Sequence, residues 1–560
     1  MAKTMTNADN FWLCMDEPSN LMVITTFMEF KEPLDFKRLQ ATIEYRLASF
    51  PRFQQRIIKP KSGVGLPGWE TDPNYDLRSH VLRVALPSPG DKADLQEMIS
   101  NLSVTPLDTN RPLWQIHLIE NYGGGCALLF RIHHCIADGI ALIHVLLSTA
   151  DTEPDAPWPT GKTKKRKPAF SLRSALPLGS FIESARETLT RTRKIGATLV
   201  KEVGRAASDP THLKNLARTT GRIPTDFAAV LSRLTLMKSD PNTPFKGRLG
   251  TRKRVAWSDP VPLAKIKEIG RAIKSTTIND VLIATVTGAM RHYLKTRKVP
   301  VNELDLRVTV PFNIRKPGTE FELGNRFSLV FLPLPVYLED PVLRLKEVKR
   351  RMDRLKTSPE PYINFGLLSA IGYLPPDVAK KTARLFGNKA SGVLTNVPGP
   401  RKPLYFAGSR IHNFMFWVPR SGNIGLGISI LSYDGKVTVG IASDESLMPD
   451  PQVLLASFNN ELDILLKRVQ SGKIEEDPLV LHDRYRENRA ADKTGQKTEP
   501  AARKAGKSGE PASCAAMTRK GRPCSKKARP GSRYCGIHRN QEKEASRLKD
   551  VARLMKELTE

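Results

Sequence analysis

The chain has 560 residues, enough for two or three domains with substantial cores. Six cysteines in that length exclude a disulfide scaffold, and the most apolar region, 126–150, is interrupted by Arg131, His133, His134 and Asp138, which excludes it as a membrane span. A net charge of +31 and a pI near 9.9 require a partner or surface of opposite sign: anionic lipid headgroups, phosphate-bearing ligands or nucleic acid.

The N-terminus lacks a basic segment followed by an apolar run, so no secretory signal is expected and the protein reads as intracellular. A strand is predicted at 21–30, an amphipathic helix near 36–57, and a hairpin with arms at 114–120 and 126–134 across the glycine-rich 121–125. In the second arm Leu128, Phe130, Ile132 and His134 share one face and His133 the other. Ile140, Ile143 and Leu147 then recur at helical spacing. This places His134 at a strand end, with Asp138 and Gly139 closing the turn into a helix. An imidazole fixed at a sheet edge is what a general base requires. A lone histidine beside an aspartate is more often core structure, but the full string HHxxxDG (133–139) at a strand-to-helix junction favours catalysis.

From 151 to 252 the character changes. Five prolines and the run KTKKRK (162–167) mark a break, and 161–205 carries twelve Lys/Arg against three acidic residues. Ile182, Ala185, Leu189, Ile195, Leu199 and Val203 form an apolar stripe among these cations. Such a helix suits a membrane interface or an ordinary crossover packed on the protein, and both readings stand. Globular patterning returns near 255. A helix is expected at 262–275, and Thr276 or Thr277 caps the next one, which carries Asn279 and Asp280. Strands follow at 306–314 and 326–334, a basic helix at 342–356 and a strand at 393–397. A hairpin across Asp434-Gly435 and a helix at 451–470 close the region. The expected fold class is α+β: two mixed halves, 1–150 and 253–472, joined by a helical crossover, 151–252.

Residues 473–512 read as a disordered linker. In 513–540, Cys514, Cys524, Cys535 and His538 have the ligand types for one tetrahedral structural Zn²⁺; the alternative is scattered reduced cysteines in a basic tail. That tail carries eleven Lys/Arg against one acidic residue over 501–540, which permits nucleic-acid binding, although a positive patch is weak evidence for it. Leu548, Val551, Leu554, Met555 and Leu558 make 541–560 an amphipathic helix for a partner or self-packing.

HHxxxDG is also the point of resemblance. The string marks the CoA-dependent acyltransferase superfamily, and PLW (112–114), NDVLIA (279–284), VPFNIR (310–315), GNR (324–326), TNVPGP (395–400) and SYDG (432–435) resemble its bacterial wax ester synthase/diacylglycerol acyltransferase branch from about Ala8 to Gln470. The resemblance implies two chloramphenicol-acetyltransferase-like domains and a small C-terminal zinc-type module added in this chain. It implies transfer of a long-chain acyl group from acyl-CoA to diacylglycerol or a fatty alcohol, with His134 as general base and His133 shaping the site. Asp138 is expected to hold the turn, Gly139 to permit it, and Asn279 to be either a polar group near the reaction centre or a helix-start cap. Asp280, Pro112 and Trp114 are expected to be structural. The transfer needs no metal or redox cofactor. The enzyme is expected on the inner face of the plasma membrane or on lipid inclusions, held by anionic lipid. A polyketide-associated or condensation-type member is the alternative, against which NDVLIA, GNR and TNVPGP argue.

Overall fold

The computed structural model describes residues 3–60, 65–160, 237–315, 319, 322–372, 376–472 and 474. The basic stripe at 161–205, the linker, the Cys/His tail and the last amphipathic segment lie outside the described residues.

In the first half, helix α1 (Asn7–Cys14) starts at Thr6, whose side chain accepts from the Asp9 N–H. Strand β1 (Val23–Phe30) and helix α2 (Phe36–Thr42) follow. The expected helix to residue 57 stops early. After α2 a wider π turn runs to Leu47, and Pro51 opens a 3₁₀ turn that leads into a strand at Gln55–Ile58. Proline lacks the N–H a helix interior needs and pushes the residue before it, Phe50, into extended geometry. Strand β2 (Val81–Ala85) and helix α3 (Lys92–Ser103), with an Asp91/Asp94 capping box, complete the approach to the predicted hairpin of β3 (Trp114–Tyr122) and β4 (Gly125–His133). Helix α4 (Gly139–Thr149) follows the motif.

The second half contains β5 (Lys253–Trp257), helices α5 (Leu263–Ala272) and α6 (Ile278–Thr296), strands β6 (Leu306–Asn313) and β7 (Phe327–Leu334), and helices α7 (Pro341–Lys356), α8 (Glu360–Ile371) and α9 (Pro376–Gly387). Strands β8 (Gly392–Pro398), β9 (Asn413–Trp417), β10 (Leu426–Tyr433) and β11 (Lys436–Asp444) and helix α10 (Pro451–Gln470) close it. Asp434 and Gly435, both with positive φ, make the β10–β11 turn.

Strands β1 to β11 form two mixed sheets. One has the order β9-β1-β4-β3-β2, antiparallel except for the β3/β2 pair. The other runs β7-β6-β8-β10-β11-β5, with parallel pairs at β6/β8 and β8/β10. The halves are not contiguous in sequence: β9 pairs with β1, Asn413 opposite Glu29 and Trp417 opposite Thr25. Motif strand β4 is central in its sheet and buried along its whole length, so it is covered on both faces. Among the described residues no helix is long and apolar enough to cross a membrane.

Candidate active site

The two motif histidines are clamped between neighbouring strands. The His133 N–H donates to the Leu113 carbonyl of the PLW string (3.0 Å), and the His134 N–H donates to the Met22 carbonyl (2.7 Å). The next residue of that string, Trp114, is buried and donates its Nε1–H to the Phe53 carbonyl at 2.7 Å.

A string more than 190 residues away sets the state of the His134 ring. The Asn325 amide donates its two hydrogens to the Asp9 carboxylate and to the His134 carbonyl, each at 2.8 Å, and the Asn325 backbone N–H also reaches Asp9 at 2.9 Å. The amide oxygen is left facing His134 Nδ1 at 2.8 Å. An amide oxygen only accepts, so Nδ1 carries the proton and Nε2 keeps its lone pair. The Trp12 indole stacks on the imidazole (centroids 4.2 Å apart), with Phe327 near the same ring. Burial pulls the His134 pKa down to about 4, opposed by the nearby Asp138 charge, so the ring is neutral at pH 7.

His133 has the opposite assignment. Its Nδ1 accepts the Cys135 N–H at 3.1 Å, which places the proton on Nε2, 3.7 Å from Asp16. Burial alone would raise the Asp16 carboxyl, but the His133 bond and charge hold it below its ordinary value. Cys135 is fully buried, with its thiol pushed well above the usual range, so it is not a nucleophile at neutral pH.

Asp138 is the N-cap of α4, accepting from the Ala141 N–H at 3.0 Å. Its other oxygen takes the Arg315 guanidinium and the Arg326 N–H (2.9 Å). Arg315 also donates to the Gly324 carbonyl, and the Gly324 N–H donates to the Ile136 carbonyl at 3.1 Å. Gly324 has φ +106°, where a side chain would be strained. The three residues 324–326 therefore hold the motif loop at Ile136, His134 and Asp138 together. Gly139 starts α4 beside Val418.

Residues 5–282 match the profile described as the wax ester synthase/diacylglycerol acyltransferase catalytic domain, and 323–466 match the WS/DGAT C-terminal domain. The chain belongs to the wax ester synthase/diacylglycerol acyltransferase family. A protein described as a probable diacylglycerol O-acyltransferase of Mycobacterium tuberculosis is 31% identical over 422 residues, 74% of this chain and 85% of that one. The fold is similar to that of the wax ester synthase/diacylglycerol acyltransferase of Marinobacter aquaeolei (TM-score 0.58, 20% identity, 84% of this chain and 100% of that one). It is also similar to the first condensation domain of the calcium-dependent antibiotic synthetase (TM-score 0.52, 16% identity, 84% and 96%). The α+β, two-domain, mixed-sheet architecture is thus that of this acyltransferase family, and the protein is an acyltransferase.

Asn279 shares none of the hydrogen bonds described for the His134 group. The cap of α6 is Thr277, in a capping box with Asp280, so Asn279 is not the helix-start cap. Its Oδ1 instead accepts from Asn396 Nδ2 (2.8 Å) on β8. Asp9, Trp12, Arg315 and Asn325 were given no role by sequence reasoning. Arg315 and Asn325 lie inside the VPFNIR and GNR strings, which were the only signal. Asp9 and Trp12 sit on a helix that none of the sequence patterns marked. Among the described residues no His/Cys/Asp/Glu group is placed to hold a metal, and the candidate ligands Cys514, Cys524, Cys535 and His538 lie outside them.

Proposed function

We propose that His134 Nε2 is the general base of an acyl-CoA-dependent O-acyltransferase acting on diacylglycerol, a long-chain alcohol, or both. The observation that carries this is the Asn325 amide, which fixes the proton on Nδ1 and so presents Nε2 as the free base. In the reaction Nε2 takes the proton of the acceptor hydroxyl as its oxygen attacks the thioester carbonyl. The tetrahedral intermediate collapses, the C–S bond breaks, and the leaving thiolate recovers the proton from Nε2. The Asp138 charge stabilises the transient imidazolium through space, while its hydrogen bonds hold the loop. Asp138 is therefore a positioning residue, and His133 braces the strand end through Asp16 and Cys135.

The acceptors and products are insoluble in water, so the enzyme works at a lipid surface on the cytoplasmic side of the membrane or at lipid inclusions. The basic stripe at 161–205 supports this reading through its charge and apolar spacing. The Cys/His tail reads as a separate structural zinc module that takes no part in the transfer. One labelled acyl-CoA offered with diacylglycerol and hexadecanol together is the test. Labelled triacylglycerol or wax ester from the wild type, and neither from His134→Ala, is the expected result; a folded His134→Ala variant with near-normal turnover would overturn the assignment.

A further inference from the structure

Between the two sheets lies a cavity lined by Val23 and Thr25 of β1, Val104 after α3, Val255 of β5, Trp417 of β9 and Arg420. Most of its wall is apolar. The polar residues of the wall are Asn20, Thr25, Ser103, Lys253 and Arg420, and Arg420 is 6% exposed. Its guanidinium makes no hydrogen bond or ion pair among the described residues, and its Nε is buried without a partner. The nearest compensating charge, Asp444, is engaged elsewhere: it pairs with Lys253 and accepts the N–H groups of Gly250 and Ser446. Burial pulls the Arg420 pKa down only to about 10, so the group remains a cation at neutral pH.

A buried, unpaired guanidinium is costly to a fold, and a chain that keeps one gains from it only when an anion arrives. A buried arginine in a largely apolar wall is well suited to a carboxylate or phosphate, which its planar fork can hold in two parallel hydrogen bonds. The reacting ends of the proposed substrates, a thioester and a hydroxyl, are uncharged and do not match it. We infer that this cavity is a binding site for an amphipathic anion, with the oxyanion paired to Arg420 and the apolar body along Val23, Val104, Val255 and Trp417. A fatty acid, the hydrolysis product of an acyl thioester, has this chemistry. A phosphate of coenzyme A shares the oxyanion, and the test separates the two sources.

Calorimetric titration of the purified full-length protein with decanoate, decanol and coenzyme A, in wild type and Arg420→Met, is the experiment. Decanoate should bind the variant at least tenfold more weakly, while decanol binds both alike. Arginine dependence with coenzyme A but not with decanoate would keep the site and assign it to the donor's phosphates. The ligand-free variant should melt no lower than wild type, because the charge removed has no partner. Equal decanoate affinity in both proteins overturns the inference, as does a variant that is destabilised and binds every ligand like wild type. If Arg420→Met does not fold, a photoreactive decanoate on the wild-type chain decides the matter: labelling of Val104 or Trp417 supports the site, and labelling confined elsewhere overturns it.

Discussion

The group around His134 and the cavity around Arg420 solve the problem of buried polar atoms in opposite ways. At His134 the neighbouring groups answer one another: Asn325 uses both amide hydrogens and its oxygen, and Asp138 accepts three donors. At Arg420 the guanidinium has no protein partner among the described residues. A densely paired network favours one arrangement and so positions its members, even though Arg315 Nε and Trp12 Nε1 in it are buried without a partner. An unsaturated charge leaves a vacancy that a ligand can fill.

The largest expected break in this contrast is His134→Ala, which should lower kcat by about 10²–10⁴-fold while circular dichroism and melting stay close to wild type. Asp138→Ala should act mainly on stability. It leaves the buried Arg315 cation unpaired and α4 uncapped, at a cost of about 3–5 kcal/mol in denaturant unfolding. A variant that is fully stable yet inactive would give Asp138 a direct chemical role. Asn325→Ala should reduce kcat by about 10²-fold, with the acyl-CoA KM little changed, because it frees the imidazole to turn and to exchange tautomers. A smaller effect sharpens the picture through pH. With His134 lowered to about 4, the base form is present throughout neutral pH, and activity should fall only as pH drops through about 4 rather than near 6.5. An acid limb near 6.5 in kcat/KM, on protein shown to be folded there, would mean that the ring is more solvated than its burial indicates. Beyond the contrast, metal analysis of the purified protein should find one zinc per chain, lost in Cys535→Ser without loss of transfer in detergent.

Local features were legible in the sequence where one short segment decides the outcome. Alternation and a glycine-rich turn located the 114–133 hairpin, Asp434-Gly435 located its counterpart, and the periodic stretch at 451–470 became a helix of those bounds. The motif string pointed to His134 because its seven residues are adjacent. The partners that give the histidine its state were hidden, since Asp9, Trp12 and Asn325 come together only when the two halves pack, and no periodicity records a contact across 316 positions. The helix expected through residue 57 failed for a local reason that was available, Pro51, whose breaking effect outweighed the apolar spacing. The strand at 413–417 gave no sign that it would leave its neighbours and join the other sheet, because a strand's sequence specifies its faces and not its partner.

That exchanged strand has a consequence for the order of events on the ribosome. The sheet bearing the histidines lacks its outer member until residue 417 has emerged, and the Asn325 lock must wait for residue 325. The nascent N-terminal half therefore exposes an unpaired β1 edge for the time needed to synthesise nearly three hundred further residues after β4, a period in which such edges invite aggregation. Over the same period the histidine is present but its proton is not yet placed. Catalytic competence arrives late, with the packing of the halves.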